Sequence, residues 1–345
     1  MERRKVALIK GDGTGPELVD LMLKVVSSVD VDLELIPCPA GLEWWEKNGG
    51  SSFIPEETWY NLEHSDACFK GPTTTLPKPG TPRSVVVSIR QKYDLYANIR
   101  PIKSFQNNIG PLGEVDFVCV RENTEGMYSG LEHRLSDDVA ITVRKITRRA
   151  SERIARVSFD MAQQRGWKKV VVLHKANILK ESDGLFLEAV RTVANDYTGI
   201  ALEEYFIDNF GQQLVKNPQR FNQNIILGTN LFMDLMSEVA SGLVGSIGTI
   251  SSSNIGEKYA LFEPAHGSAP KYVGLNKVNP TATILAAAHM LEYLGYKDQS
   301  QSIFRATEQV IAEKKVTTYD MGGSAGTSQM AEAIAEKARG LTITS

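Results

Sequence analysis

Residues 117–120 read FVCV, residues 150–166 read ASERIARVSFDMAQQRG, and residues 170–173 read VVVL. The two short runs are wholly apolar and rich in valine, as strands buried on both faces are. Between them Ile154, Val157 and Met161 recur at helical spacing, and Ser151 stands where it can cap the helix. The same alternation extends outward to the apolar runs Val6–Ile9 and Ile225–Leu227. Strands alternating with helices of this length predict an α/β fold with a mostly parallel sheet. No internal repeat and no Ser/Gly linker separates two halves.

The chain has 345 residues, 42% of them apolar and 23% charged, enough for two domains or one large one. Thirty-eight basic against 41 acidic residues give a formal charge of −3, so no basic field favours nucleic acid. No stretch reaches the ~18 apolar residues of a membrane span, and the first residues carry no long apolar segment of a secretion signal. Cys38, Cys68 and Cys119 lack metal-ligand spacing and lie in apolar surroundings. They read as reduced core residues of a cytoplasmic protein.

Several segments carry residues suited to chemistry. Gly11-Asp12-Gly13-Thr14-Gly15-Pro16-Glu17 follows a strand and opens a helix, but its spacing is not G-x-G-x-x-G. Pro16 explains a tight turn there without a ligand, so turn and ligand loop both stay open. The segment 71–84, GPTTTLPKPGTPRS, is too rich in proline for a helix or central strand and reads as a shaped surface loop. Arg121 ends a buried strand, where open α/β sheets bind ligands, and a buried guanidinium needs an anion. A structural pair with Asp94, Glu122 or Glu125 would satisfy it. Together with Arg90 and Arg100, however, it suggests a substrate with several carboxylates.

Lys175 also closes an apolar strand, where it is either a desolvated base or a lysine snorkelling to water. Tyr128 sits in a glycine-flanked loop as a proton donor or a packing ring. Asp234 and Glu238, four apart on one helical face, repel each other unless a cation lies between them. Oxygen-only ligands favour Mg²⁺ or Mn²⁺, the alternative being solvated surface acids. Asp208 ends the strand-like run EEYFID. The stretch LFEPAHGSAPKYVGLNKVNP packs His266, Gly267, Ser268, Lys271, Tyr272 and Asn279 into 14 positions, where small residues let a phosphate approach the backbone, the alternative being a plain loop shaped by its prolines and glycines.

Read together, GDGTGPE, YANIRP, VRENTEGMYSG, HKANI, NLFMDLMSE, SNIG, EPAHGSAP and YDMGGSAGT resemble, in order, the metal-dependent β-decarboxylating dehydrogenases of isocitrate, isopropylmalate, homoisocitrate and tartrate/malate. The resemblance implies two α/β domains sharing a cleft, not a Rossmann fold. Residues 1–95 with 255–345 would form the larger, cofactor-binding unit. Residues 96–254 would form the smaller, with a dimer-forming segment at about 127–150. It also implies a homodimer in which Lys175 and Asp208 serve the neighbour's site. Arg90, Arg100 and Arg121 match carboxylate-binding arginines, and Tyr128 and Lys175 the catalytic pair. Asp208, Asp234 and Glu238 match the metal acids, although the third is normally aspartate. Met233 replaces a usual glycine.

Ser84, six before Arg90, matches the serine with which isocitrate enzymes bind the extra carboxylate, and Val87 matches as well. Val86 replaces their asparagine. Thr75, Glu263, His266, Gly267, Ser268, Ala269 and Asn279 fall in the cofactor set. Lys271, Tyr272 and Tyr319 resemble the NADP form rather than the Asp-Ile pair of NAD enzymes, while Gly323 stands where some NADP enzymes have arginine. The resemblance therefore implies NADP-dependent isocitrate oxidation with Mg²⁺ or Mn²⁺. Homoisocitrate or 3-isopropylmalate oxidation is the alternative within the family, and a non-catalytic regulatory subunit the alternative outside enzymes. A kinase is disfavoured by the lack of G-x-x-x-x-G-K-[ST].

Overall fold

The computed structural model describes residues 3–343. Its strands are β1 (Arg4–Ile9), β2 (Leu33–Pro37), β3 (Ala67–Lys70), β4 (Ala97–Lys103), β5 (Asp116–Glu122), β6 (Glu132–Arg134), β7 (Ala140–Thr142), β8 (Lys169–His174), β9 (Ala201–Phe206), β10 (Asn224–Gly228), β11 (Ser251–Ile255) and β12 (Ala260–Pro264). Ten of them form one sheet in the order β2-β1-β3-β12-β11-β4-β5-β10-β8-β9, and β6 pairs with β7 apart from it. The wings are parallel, as the strand–helix alternation predicts. The centre is not. There β12 with β11, β11 with β4 and β4 with β5 pair antiparallel. A short turn suffices for such a pairing, and Gly256 N–H to Tyr259 O closes one between β11 and β12. Sequence reading passes over β11 because its residues, Ser251 to Asn254, are polar yet buried.

The helix expected between β5 and β8 spans Arg148–Gln164 and buries Ile154, Phe159 and Ala162 against the sheet. Its cap is Thr147 rather than Ser151. The Thr147 hydroxyl accepts from Ala150 N–H at 3.2 Å, while Ser151 lies inside the helix and donates back to Thr147 O at 2.7 Å. Thr147 prevails because Glu125 fixes it from outside, through its N–H at 2.7 Å and its hydroxyl at 3.0 Å. Asp208 likewise departs from its expected place. β9 stops at Phe206, and Asp208 falls in the first turn of the helix Ile207–Lys216.

The three cysteines are buried and free. Burial pushes the Cys38 thiol up to about 11 and that of Cys119 to about 12, so both stay protonated. Among the described residues no helix is long and apolar enough to cross a membrane.

The glycine cluster at 11–17 resolves as a scaffold. Gly11 and Gly13 have φ of +78° and +59°, and a Cβ on them would meet Pro72 O at 2.1 Å and Ser268 O at 2.4 Å. Buried Asp12 accepts from the N–H groups of Leu42, Glu43 and Thr74 at 2.8–3.1 Å. The turn thus ties the 71–84 loop to the loop after β12, and both loops border the site.

Candidate active site

The ends of β3, β5 and β12, the middle of β4, and the helices Val85–Lys92 and Asn230–Ser241 converge on a cavity of about 370 Å³. Of the residues singled out in the sequence, Thr75, Ser84, Arg90, Arg100, Arg121, Tyr128, Asp234, Glu238, Glu263, His266 and Gly267 line it. Ser84 occupies the N-cap of Val85–Lys92, yet its side chain makes no capping bond. A serine at a cap ordinarily binds the first turn. Here its hydroxyl is left to the cavity.

The three arginines are buried, and each has an anion, although not those that sequence neighbours offered. Arg121 donates to Asp234, and its Nε donates to Asn230 Oδ1 at 3.0 Å. Arg100 reaches Asp234 at 3.6 Å and Glu238 at 3.1 Å. Arg90 Nη2 pairs with Glu263 at 3.2 Å. Asp94 instead bonds Arg153, Glu122 holds Thr124, and Glu125 holds Thr147. Burial lowers the Arg121 guanidinium to about 10, which still leaves it charged at neutral pH.

Tyr128 donates to Asp234 Oδ2 at 2.5 Å, and the Arg121 guanidinium lies 4.9 Å from its ring centroid. Burial, then the bond to Asp234, pushes the phenol above its usual value, so it remains a proton donor. Burial alone would raise the Asp234 carboxyl, but Arg121, Tyr128 and Arg100 together hold it below the carboxylate range.

The cation between Asp234 and Glu238 is Arg100, which bonds both. As hard oxygen donors on one helical face, the two acids fit Mg²⁺ or Mn²⁺ in chemistry. They are an incomplete set in one chain. Among the described residues no group of three or more His, Cys, Asp or Glu side chains is arranged to hold a metal. Asp208 and Lys175 do not line the cavity. They pair with each other at 2.7 Å, with Asp208 about two-thirds exposed. The Lys175 turn is nonetheless built firmly, because fully buried Asp183 accepts its N–H at 2.6 Å and pairs with Arg144.

Beyond the cavity, Ala269 at φ +42° leads into the short turn Pro270–Tyr272. Tyr272 and Tyr319 stack with centroids 6.3 Å apart, and Lys277 Nζ lies 5.7 Å over Tyr319. Lys271 is exposed beside them. Ser268 bonds Thr74 Oγ1 at 2.6 Å, and Asn279 bonds Asp320 at 2.9 Å. The residues that the resemblance assigns to the cofactor here thus form a half-open patch continuous with the loop that borders the cavity.

Sequence reading missed Lys70. It ends β3 just as Lys175 follows β8, which was the available signal. Its side chain is 3% exposed, donates to Gly71 O at 2.9 Å and pairs with Glu263 at 2.9 Å. Glu263, assigned by resemblance to the cofactor, here anchors Lys70 and Arg90 together. Burial alone would raise its carboxyl, but Lys70 and Arg90 overcome that and hold it at about 2. A carboxyl depressed from 4.5 contributes stability that is full above about pH 4.5 and is lost as pH falls toward 2. The size is about 3 kcal/mol. Acid titration followed by circular dichroism should show a steep loss of stability in that window. Glu263→Gln should remove that part of the slope and destabilise the protein at pH 7. An unchanged slope would show that Glu263 is not the linked group.

A family profile described as isocitrate/isopropylmalate dehydrogenase matches residues 5–334. The 3-isopropylmalate dehydrogenase of Methanothermobacter thermautotrophicus is 40% identical over 97% of this chain and 98% of its own. The isocitrate/homoisocitrate dehydrogenase of Thermus thermophilus is 41% identical over 98% of this chain and 99% of its own. The crystal structure of isocitrate dehydrogenase from Methylococcus capsulatus superposes with a TM-score of 0.91 at 43% identity, covering 97% of this chain and 99% of that one. With this fold and this cluster of arginines, tyrosine and acids, the chain belongs to the isocitrate/isopropylmalate dehydrogenase family, oxidoreductases that act on small molecules with a divalent metal and a nicotinamide cofactor.

Proposed function

We propose that this chain oxidatively decarboxylates isocitrate to 2-oxoglutarate and CO₂ with NADP as oxidant. The observation that carries the reading is one cavity that joins the uncapped Ser84 hydroxyl to three buried arginine forks. Each planar fork suits a carboxylate, and three of them suit a tricarboxylate. Val86 and Val87 line the same wall. The relatives named for 3-isopropylmalate and for isocitrate/homoisocitrate favour a second reading, with 3-isopropylmalate or homoisocitrate as the acid that meets Ser84. Turnover of a panel of the three acids separates these, each with NADP and NAD, with Mg²⁺ and with EDTA. Isocitrate with NADP should be fastest and should stop with EDTA. Preference for another acid moves the conclusion to that acid, and no turnover of any acid makes the chain a regulatory subunit.

Asp234 and Glu238, with Asp208 of a neighbouring copy, would hold a divalent metal that would supply Lewis-acid polarisation of the substrate's oxygens, and a bound nicotinamide would supply the hydride acceptor. The chain's own residues do the rest. Arg100 and Arg121 exchange their bonds to Asp234 and Glu238 for substrate carboxylates, freeing the two acids for a cation. Lys175 takes the 2-hydroxyl proton, directly or through water, and Tyr128 protonates the carbon that loses CO₂. Because Lys175 and Asp208 stand off the cavity of their own chain, we assign them to a neighbour's site in a homodimer. The exposed apolar side chains of the β6–β7 segment, with Leu235 and Val239 on Asn230–Ser241, offer surface for that contact. We also propose the two-unit division at 95/96 and 254/255, apart from residues 1–2 and 344–345, which lie outside the described ones. Apolar clusters that follow this division, with Phe105 alone of the buried 96–254 residues packed into the other unit's core, support it. Buried thiols suit a cytoplasmic protein.

Ser84→Leu tests the substrate reading directly. A hydrogen bond to a charged group is worth ~1.5–3 kcal/mol, so isocitrate kcat/KM should fall ~10- to 150-fold. Activity on 3-isopropylmalate, which lacks the extra carboxylate, should be spared. Equal losses on both acids would sink the assignment.

A further inference from the structure

We infer that Asn98, Asn230 and Asn254 are positioning residues. Each holds one arginine of the cavity by a neutral acceptor at Nε, so that the fork is aimed without its charge being cancelled. The inference rests on the proposed polycarboxylate substrate and deepens it.

The same contact occurs three times. Arg90 Nε donates to Asn254 Oδ1 at 2.9 Å, Arg100 Nε to Asn98 Oδ1 at 3.0 Å, and Arg121 Nε to Asn230 Oδ1 at 3.0 Å. All three asparagines are essentially inaccessible to solvent. Two of them stand in one row across the sheet, because Asn254 of β11 lies opposite Asn98 of β4, and Asn98 opposite Arg121 of β5.

Hydrogen bonds fix which way each amide faces. Asn254 Nδ2 donates to Leu261 O at 3.3 Å and to Glu263 Oε1 at 3.0 Å, which turns its oxygen toward Arg90. Asn98 Nδ2 donates to Ser252 Oγ at 2.7 Å and to Asn254 Oδ1 at 2.8 Å, which turns its oxygen toward Arg100. Asn230 takes two bonds from one guanidinium, Nε and Nη2, on a single oxygen. A guanidinium is planar, so pinning Nε sets the plane in which the two outer nitrogens project.

Charge explains why the acceptor is an amide. Lys70, Arg90, Arg100 and Arg121 face Asp234, Glu238 and Glu263 around the cavity, a balance close to neutral. A carboxylate in place of any of the three amides would still accept from Nε, and more strongly. It would also cancel the excess positive charge that draws in an anionic substrate. At position 230, where Nδ2 has no hydrogen-bond partner to lose, a purely structural role predicts that aspartate serves as well as asparagine. A positioning role for anion capture predicts that it does not.

The test is Asn230→Asp, with Asn98→Asp, which also loses the donations to Ser252 and Asn254, as the second variant. Asn230 begins a helix, where negative charge is tolerated, so the first variant folds even where the second does not. Steady-state kinetics on isocitrate, and calorimetry with the unreactive tricarboxylate tricarballylate, are measured beside thermal unfolding. A folded aspartate variant should show a 10- to 100-fold rise in KM for isocitrate and an equal weakening of tricarballylate, with the cofactor KM within about twofold. Asn98→Ser, a smaller neutral acceptor, should recover part of the loss. Unchanged KM and tricarballylate affinity in folded variants would overturn the inference while leaving the substrate reading intact. Failure of the unsubstituted protein to bind any polycarboxylate would overturn both.

Discussion

The double variant Lys271→Asp, Tyr272→Ile is expected to move the preference from NADP to NAD by on the order of 10³-fold or more in the ratio of kcat/KM. The ribose 2′-phosphate carries roughly −1.5 to −2 charges, like other phosphate monoesters near neutrality. Lys271 is exposed and pairs with no carboxylate among the described residues, and Tyr272 and Tyr319 stack beside it with their phenols in one patch. Hydrogen bonding to Tyr272 raises the Tyr319 phenol above its usual value, which keeps it a donor. Each charge-assisted bond to phosphate is worth ~1.5–3 kcal/mol, and the variant removes two of the three. The new aspartate repels the phosphate and offers an acceptor to the two ribose hydroxyls of NAD. Gly323 has no side chain with which to compensate. Initial rates with both cofactors, before and after substitution, decide the matter. An unsubstituted protein that prefers NAD, or a ratio that does not move, would show that this patch does not read the phosphate.

Tyr128→Phe should cost about 10²- to 10⁴-fold in decarboxylation, the range of a positioned general acid, while reduction of the keto acid suffers less. The phenol is needed after oxidation, when a proton must reach carbon, and its raised pKa keeps that proton available. The substitution also removes a bond to Asp234, and Arg121 and Arg100 remain to hold that acid. Supplying the β-keto acid and following its reduction and its loss of CO₂ separately distinguishes the two steps. If both fall together, Tyr128 orders the site rather than protonating product. If neither falls, it is a packing ring over Arg121.

Much of this molecule was legible from its residues because the relevant signals are local. The runs FVCV and VVVL and the spacing of Ile154, Val157 and Met161 fixed strands and helix, since burial on one face imposes a period. The ends of β3, β5 and β8 stand out as candidate sites because a charged side chain closing an apolar strand must meet something. By that rule Arg121 and Lys175 were found and Lys70 could have been. Ser151 misled because capping depends on where the chain turns, which Glu125 decides from 22 residues away.

The sequence by itself determined the alternation of elements, the charge types at strand ends and the one-face pairing of Asp234 with Glu238, all set by bonds and steric rules within a few residues. Only the tertiary structure decided the rest. Hydrogen-bonded serines and Asn254 make polar β11 a central strand, and its pairing with β4 brings residues 98 and 254 into contact. The acidic partners of Arg90, Arg100 and Arg121 come from 113 to 173 positions away. Asp208 lies off the cavity that Asp234 lines and pairs with Lys175 at 2.7 Å. Long-range electrostatics follows the distances that folding creates, and those distances are absent from the order of the residues.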